Sequence, residues 1–501
     1  MRPSGRHDAA IMAASVTGVA LFIHAWHAVG TGCYVDFVTG VWFALADDLS
    51  HGVFYRDLIG PDGYGGTRYF PLFFSLIGSA MSLGAGPLLA GFVVSLSSGA
   101  LLVLGLRRFF LQLGLSPALA TAIGLFVFAP RFAQQALLAI RSDILAAALV
   151  VWGLAYTLPA FDEERPRNTP LATASVFFIL AAATKVTSLY APAAAIVALA
   201  LAARFAASVR LGLMVALGTA AVVAVVAALS GGRAIESWRA CALAGVGLAE
   251  WLKGTPSVFL TQVIGPSRVF GVVFAAAVSA WLVMLFDRGP RLSIVLFPAT
   301  LGATLVVLAS PGTSYTNQLV ELFTVCLLIV GWALARHPRL WSPAGLILLV
   351  LSLGVARHSL LPVLDAGRRH HAQRMSAERA QLVRDLAALR GPVLSESPEL
   401  LALAGLRPYM IDPFALRVVT LRRRDVFDDV ERKLDSRYFS AVVLMYDPES
   451  RGGRGWYTNM DFGWPITSNI LANYELATVK AGLRVYRPKA PAPAPPPAPM
   501  D

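Results

Sequence analysis

The chain has 501 residues, of which 56% are hydrophobic and 14% charged. Soluble domains carry about 25% charged residues, so a soluble globular fold is excluded; apolar runs recur between positions 9 and 360, each long enough to cross a hydrocarbon core of about 30 Å. The net charge of +12 comes with no basic helix or RNA-binding motif, which argues for loop lysines and arginines beside anionic lipid and against nucleic acid.

The apolar runs are continuous, not alternating, so the spans are helices and not barrel strands. The pattern predicts an α-helical polytopic membrane protein of about eleven crossings, near 9–30, 86–106, 116–134, 143–159, 171–184, 187–204, 211–229, 268–286, 292–309, 319–335 and 342–360. Arg2 and Arg6 place the N-terminus in the cytoplasm. The first run contains His24 and His27 and no small-residue cleavage site, so it reads as an uncleaved helix.

Tyr34 to Pro71 is too polar to cross and carries Asp36, Asp47, Asp48, Asp57, Asp62, Arg56 and Arg68. It is expected as an outward-facing loop. Within it, Phe37, Val41, Ala44, Leu45 and Leu49 share one helical face. That predicts an interfacial helix over 36–50, with Asp47 and Asp48 turned to solvent. The apolar stretch 69–83 is short, and crossing there would put Arg107 and Arg108 on the wrong side, so a second interfacial helix is predicted.

The run R-F-A-Q-Q-A-L-L-A-I-R-S-D is expected as a short outer link, and Gly231 to about Pro266 as a second outer loop. With eleven crossings, everything after about 366 lies outside. The predicted division is a membrane domain over 1–365, a small extracytoplasmic α/β domain over 366–488, and a Pro/Ala-rich disordered tail over 489–501. In the α/β part a charged helix from His370 precedes P-V-L-S-E-S, a helix P-E-L-L-A-L-A-G-L and a strand S-A-V-V-L-M-Y-D-P. A helix S-N-I-L-A-N-Y-E-L-A and a strand G-L-R-V-Y-R-P follow. Cys33, Cys241 and Cys326 lack metal spacing and read as free thiols, Cys33 and Cys241 being the pair that could bridge.

In a chain this poor in charge, ionisable residues at helix mouths are candidate site residues. On the outer side these are Asp36, Arg68, Arg131, Arg141, Asp143, Lys185 and Glu321. Most of these also have a structural alternative. Asp36 would cap the helix that follows it, and Arg68 would snorkel to headgroups. Asp143 would cap a helix or pair with Arg141, Lys185 would be an interface lysine, and Asn317 and Glu321 would serve helix packing. Asp36 and Asp143 together are candidate ligands for a divalent metal, although no ligand cluster is visible in the sequence.

Several local elements occur in a recognisable order. An acid, Asp36, follows the first helix. H-G-V-F-Y-R-D and T-R-Y-F-P-L-F-F come next, then R-S-D at Arg141 to Asp143, A-A-A-T-K-V-T containing Lys185, and S-P-G-T-S-Y-T-N-x-x-x-E ending at Glu321. This order resembles the GT-C class of membrane glycosyltransferases, in particular bacterial relatives of the protein O-mannosyltransferases and the lipid A aminoarabinose transferase. Phe70 departs from the pattern, which usually has proline there.

The resemblance implies an enzyme of the inner membrane. Its donor would be a sugar linked to a polyprenyl phosphate, and its acceptor a lipid, glycan or protein at the outer face. It implies Asp36 as general base with Asp143 as a second catalytic carboxylate, inversion at the anomeric carbon, and donor-phosphate contacts from Arg68, Tyr69, Arg141 and Lys185. Substrate contacts would come from Asn317 and Glu321. The competing readings are a transporter or lipid flippase, against which stand the absence of a sequence repeat and of mid-membrane charge, and a non-catalytic scaffold.

Overall fold

The punctuation of the first part of the chain is set by glycine and proline. The computed structural model describes residues 5–61, 63–162, 168–242, 261, 265, 267–287, 289–308 and 316–490. Helix α1 (Gly5–Thr31) is followed by α2 (Phe37–Ser50), a two-strand ribbon of β1 (Ile59–Gly60) and β2 (Gly63–Tyr64), α3 (Pro71–Ser82), α4 (Pro87–Gln112) and α5 (Pro117–Phe126). Proline opens α3, α4 and α5, where its missing N–H costs nothing. Both α3 and α4 end in a left-handed glycine, Gly84 and Gly114. The amides of Ala85 and Leu115 reach back to Ala80 and Phe110, satisfying carbonyls the helix leaves open.

Eight helices are long and apolar enough to cross a membrane among the described residues: Asp8–Thr31, Pro87–Gln112, Ser142–Phe161, Phe205–Leu229, Arg268–Phe286, Arg291–Leu308, Leu319–Arg336 and Pro338–Leu364. They coincide with eight of the eleven predicted crossings, and the chain is a multi-pass α-helical membrane protein. The other three predictions, 116–134, 171–184 and 187–204, fall on shorter apolar helices.

The first of these is cut at Phe126, because Pro130 has no N–H to continue the ladder. The turn tightens through three successive i→i−3 bonds at Val127, Phe128 and Ala129. The expected outer link is instead a helix, α6 (Arg131–Leu138), buried along most of its length. Beyond it run α7 (Ser142–Thr157), the short α8 (Pro159–Asp162), α9 (Asn168–Thr184), a 3₁₀ turn (Val186–Leu189), α10 (Tyr190–Leu201), α11 (Phe205–Leu229) and α12 (Arg233–Ala242). The remaining membrane helices are α13 (Arg268–Phe286), α14 (Arg291–Leu308), α15 (Leu319–Arg336) and α16 (Trp341–Leu364). Helices α7 and α15 sit in the middle of the bundle, their side chains buried almost all round. Small residues let neighbours approach them closely: a Cβ on Gly331 would lie 2.2 Å from the Phe110 ring.

Of the two helices predicted to lie on the membrane, the first differs from that expectation. Every residue of α2 from Phe37 to Ala46 is buried. One side packs on α3, and Gly40 faces the C-terminal part of the chain so closely that a Cβ there would stand 2.3 Å from the Glu399 amide nitrogen. Asp48, expected in solvent, is 1% exposed. It takes two bonds from Arg56, at 2.5 and 2.6 Å, and one from Arg407 at 3.0 Å. Asp47 keeps partial exposure and pairs with His51 at 3.6 Å.

After α17 (Ala366–Ala387) the chain forms β3 (Val393–Ser395), α18 (Pro398–Leu403), α19 (Pro413–Thr420), α20 (Arg424–Asp435), β4 (Ala441–Leu444), α21 (Arg451–Asn459), α22 (Gly463–Asn473), β5 (Tyr474–Lys480) and β6 (Leu483–Pro488). The sheet order is β3-β4-β6-β5, with β3 and β4 parallel and the other pairs antiparallel. Tyr474–Glu475–Leu476–Ala477 was expected as the end of a helix. It opens β5, where Leu476 pairs with Tyr486.

This region is tied back to the Tyr34–Pro71 stretch by main-chain bonds. The Tyr64 amide donates to Tyr409 O at 2.7 Å and the Ile411 amide to Tyr64 O at 3.2 Å. All three cysteines are free thiols. The predicted tail beyond residue 490, the charged residues 163–167 and the S-P-G-T-S-Y-T-N loop up to residue 315 lie outside the described residues.

Candidate active site

Asp36 is the N-cap of α2. Its Oδ1 accepts from the amides of Val38 and Thr39, both at 3.1 Å, and Thr39 Oγ1 accepts from the Asp36 amide at 3.2 Å. Such a capping box satisfies donors that the first turn leaves unpaired. The other oxygen, Oδ2, accepts from Arg141 Nη2 at 2.5 Å. Arg141 is held there by an unusual turn. Ile140 takes a left-handed φ of 51°, which is rare for a β-branched residue and marks a position over-determined by its surroundings. Thr39 Oγ1 donates to Ala139 O at 2.7 Å, fastening that turn to the start of α2. The capping role and the Arg141 partnership are thus both present; the second was expected for Asp143.

Asp143 instead meets Lys185. The Lys185 Nζ lies 2.7 Å from Asp143 Oδ1 and 3.0 Å from Glu321 Oε1. Asn317 Nδ2 donates to Asp143 Oδ2 at 2.7 Å, and Ser188 Oγ donates to Glu321 Oε2 at 3.0 Å. One lysine therefore joins α7, the α9–α10 turn and α15, in a network whose carboxylates are each supplied with donors. Buried charge is tolerated on those terms.

Arg68, Tyr69 and Phe70 are fixed by α12 of the second connecting segment. Thr67 exchanges two bonds with Ser237 Oγ, both 2.7 Å, and Tyr69 O accepts from Trp238 Nε1 at 3.1 Å and Tyr55 Oη at 2.9 Å. Phe70, where proline was the expectation, stacks on Trp238 with centroids 4.4 Å apart. Burial pushes the Tyr69 hydroxyl up to about 12, which leaves it a neutral donor. The Arg68 guanidinium lies 4.6 Å over the Phe414 ring, and Arg68 has no ion pair among the described residues.

These groups enclose a cavity of about 200 Å³. Drug-sized sites run to roughly 300–1,000 Å³, so this one suits a polar headgroup better than a lipid tail. Arg68, Tyr69, Arg141, Asp143, Lys185 and Asn317 line it. Glu321 does not; it stands behind Lys185 beside a void of about 10 Å³. Asp36 does not line it either, and touches the lining through Arg141.

The sequence reading missed Trp42, and it missed the whole contribution of the C-terminal region: Asp412, Phe414, Met460 and Asp461. No signal marked those two acids, because acids are common in that part of the chain. Arg131, named with the outer charges, is exposed and lies off the cavity.

Asp36 and Asp143, the candidate ligands for a divalent metal, each have other partners in this structure. Both carboxylates are already engaged by cationic and amide donors, and among the described residues no group of three potential ligands could hold an ion.

No protein-family model matches the sequence, and no curated protein matches it. Solved structures do. ArnT from Cupriavidus metallidurans bound to undecaprenyl phosphate superposes with a TM-score of 0.58 at 13% identity, over 94% of this chain and 97% of that one. The Archaeoglobus fulgidus oligosaccharyltransferase in its apo form gives 0.54 at 12% identity, over 90% and 72%. The same oligosaccharyltransferase, AglB, with an inhibitory peptide and dolichol-phosphate gives 0.52 at 13%, over 94% and 74%. The chain therefore has the fold of the GT-C class of membrane glycosyltransferases.

Proposed function

We propose that the protein is a membrane glycosyltransferase that moves a sugar from a polyprenyl phosphate to an acceptor hydroxyl. The observation that carries this reading is Arg68: a guanidinium with no ion pair among the described residues, facing a headgroup-sized cavity also lined by Arg141 and Lys185. A leaving phosphate gains negative charge as its bond to the sugar breaks. Fixed cations in a dry site stabilise that charge, and arginine can do so with two parallel bonds. The undecaprenyl phosphate bound to ArnT and the dolichol-phosphate bound to AglB support a lipid-linked donor.

In the proposed step the acceptor oxygen attacks the anomeric carbon while the carbon–oxygen bond to phosphate breaks on the opposite face, so the configuration inverts. The acceptor proton passes to Asp36, and the phosphate leaves toward Arg68. Arg141 links the two events: it stands between Asp36 and the cavity, and by engaging the phosphate it frees Asp36 Oδ2 for the acceptor. Asp143, with Lys185, Asn317 and Glu321, holds the cationic wall in place. The cavity is placed on the extracytoplasmic side, with the N-terminus in the cytoplasm and residues 366–488 outside as a domain that closes over the site.

The test is binding and transfer by the purified full chain in lipid nanodiscs. Undecaprenyl phosphate should bind at least tenfold more tightly than undecaprenol, and undecaprenyl-phosphate sugars should lose their sugar to envelope acceptors. Equal binding of the phosphate and the alcohol would sink the reading and favour a protein that handles only apolar chains.

A further inference from the structure

The cavity has two chemically opposite contributions. The membrane helices and their connections supply Arg68, Arg141 and Lys185; the C-terminal region supplies Asp412 and Asp461. Both of these acids are buried, at 3% and 0% exposure. Asp412 uses one oxygen to cap α19, accepting from the Ala415 amide at 3.0 Å, and its Oδ2 has no hydrogen-bond partner. Asp461 has no nitrogen or hydroxyl donor on either oxygen and shares a hydrogen bond with the Glu396 carboxyl. Asp461 also sits at a φ of 44° in the three-residue link Met460–Phe462 between α21 and α22, a conformation that aspartate tolerates better than most residues but that still needs outside support.

Its neighbour Glu396 is by contrast well supplied. Glu396 Oε2 accepts from Tyr457 Oη at 2.6 Å and the Met445 amide at 2.7 Å. Unfilled acceptors on buried acids are costly, since each forfeits its water without replacement. Asp412 Oδ2, with no partner, and Asp461, bonded only to Glu396, both belong to residues lining one cavity, and each keeps acceptor capacity that a bound molecule can fill.

We propose that Asp412 and Asp461 form the sugar-reading subsite, accepting hydrogen bonds from hydroxyl or amino groups of the transferred sugar while Arg68 holds the phosphate beside them. This rests on the transferase reading above. The sugar is one bond from the phosphate, so a phosphate at Arg68 brings the sugar into the part of the cavity where Asp412 and Phe414 stand. Arg68 acts on both sides of this division: its plane lies on Phe414 and its charge acts on the Asp412 carboxyl. Burial raises Asp412, and burial with Glu396 and Asp412 nearby raises Asp461 well above the usual carboxylate range.

Asp412→Asn and Asp461→Asn test this in the full chain. Asparagine caps helices as well as aspartate does and tolerates a left-handed φ, and thermal unfolding checks that each variant is intact. The probes are bare undecaprenyl phosphate and undecaprenyl phosphate carrying a neutral hexose, a neutral pentose or an amino sugar, with Kd measured in nanodiscs. The wild type should prefer at least one sugar-bearing lipid over the bare lipid by tenfold or more. In each variant that preference should fall at least fivefold, while the Kd for the bare lipid stays within twofold. A preference lost for the amino sugar alone assigns the acids to an ammonium; one lost for a neutral sugar assigns them to hydroxyls.

A preference that survives in both variants, or a wild type that binds all four lipids alike, overturns the proposal and leaves the transferase reading standing. A wild type that does not bind bare undecaprenyl phosphate better than undecaprenol overturns both.

Discussion

Replacing Asp36 by asparagine separates chemistry from architecture, because the two roles of this side chain use different oxygens. Oδ1 caps α2 and Oδ2 meets Arg141. Asparagine is as good an N-cap as aspartate, whereas alanine costs about 1 kcal/mol. Losing the partner of a fully buried charge costs roughly 3–5 kcal/mol. Here the carboxylate side chain is 30% exposed, and an amide oxygen can still accept from the guanidinium. The stability loss in Asp36→Asn should therefore stay below about 2 kcal/mol, and Asp36→Ala should lose about 1 kcal/mol more.

A positioned general base is worth about 10²- to 10⁴-fold in rate, or about 3–5 kcal/mol of barrier. The chemical effect thus exceeds the structural one and is read in a separate assay. Sugar release from labelled undecaprenyl-phosphate donor should fall at least 100-fold in both variants, and melting temperature should drop distinctly only in Asp36→Ala. Transfer within threefold of wild type in Asp36→Asn would refute the base assignment. A loss of transfer confined to Asp36→Ala would show that the carboxylate is there for the helix alone.

Lys185→Met leaves Asp143 and Glu321 without their shared cation and should destabilise the membrane bundle by about 3–5 kcal/mol; adding Asp143→Asn and Glu321→Gln should recover most of that, as read by thermal unfolding in nanodiscs. Arg68→Ala should weaken undecaprenyl phosphate binding about tenfold or more, and Arg68→Lys should restore only part, because a point charge lacks the paired geometry and the flat face over Phe414. Gly40→Ala puts a methyl into the Pro398–Glu399 backbone and should cost about 1–3 kcal/mol as overpacking, with a matching rise in protease cleavage between residues 366 and 490.

Burial lifts Glu396 to about 7 from an ordinary 4.5. The folded chain therefore holds that proton more tightly, a stabilisation that is full below pH ~4.5 and lost as pH rises through ~7. At 1.36 kcal/mol per unit this is on the order of 3 kcal/mol. Between pH 5 and 8 the melting temperature of the wild type should fall relative to that of Glu396→Gln, and parallel curves would contradict the assignment.

The polar groups that proved legible in the sequence were those that stand out against an apolar background. Arg68, Arg141, Asp143 and Lys185 are charges at or near helix ends that line one cavity, and Asp36 reaches it only through Arg141. Asp48 was misread because its environment is not local. Its neighbours in sequence give a polar helix face, yet its partner Arg407 is 359 positions away and buries it. Tyr474 to Ala477 carried a helical continuation that pairing with β6 overrides, as tertiary contacts commonly override propensity. Asp412 and Asp461 could not be singled out. In a region rich in arginine and aspartate, only long-range packing distinguishes a buried, unfilled acceptor from a solvated one.

The main-chain join between Tyr64 and the Tyr409–Ile411 segment has a bearing on biosynthesis. A ribosome finishes the first membrane helices long before it reaches residue 409. Until then Tyr64 lacks the segment it bridges to, Asp48 lacks Arg407, and the cavity is without the Asp412 and Asp461 part of its lining. No nascent form of the chain holds a finished pocket. On the proposed reading, a lipid-borne sugar that met the protein during its synthesis finds no enclosed place to react, because the last quarter of the polypeptide completes the cavity lining.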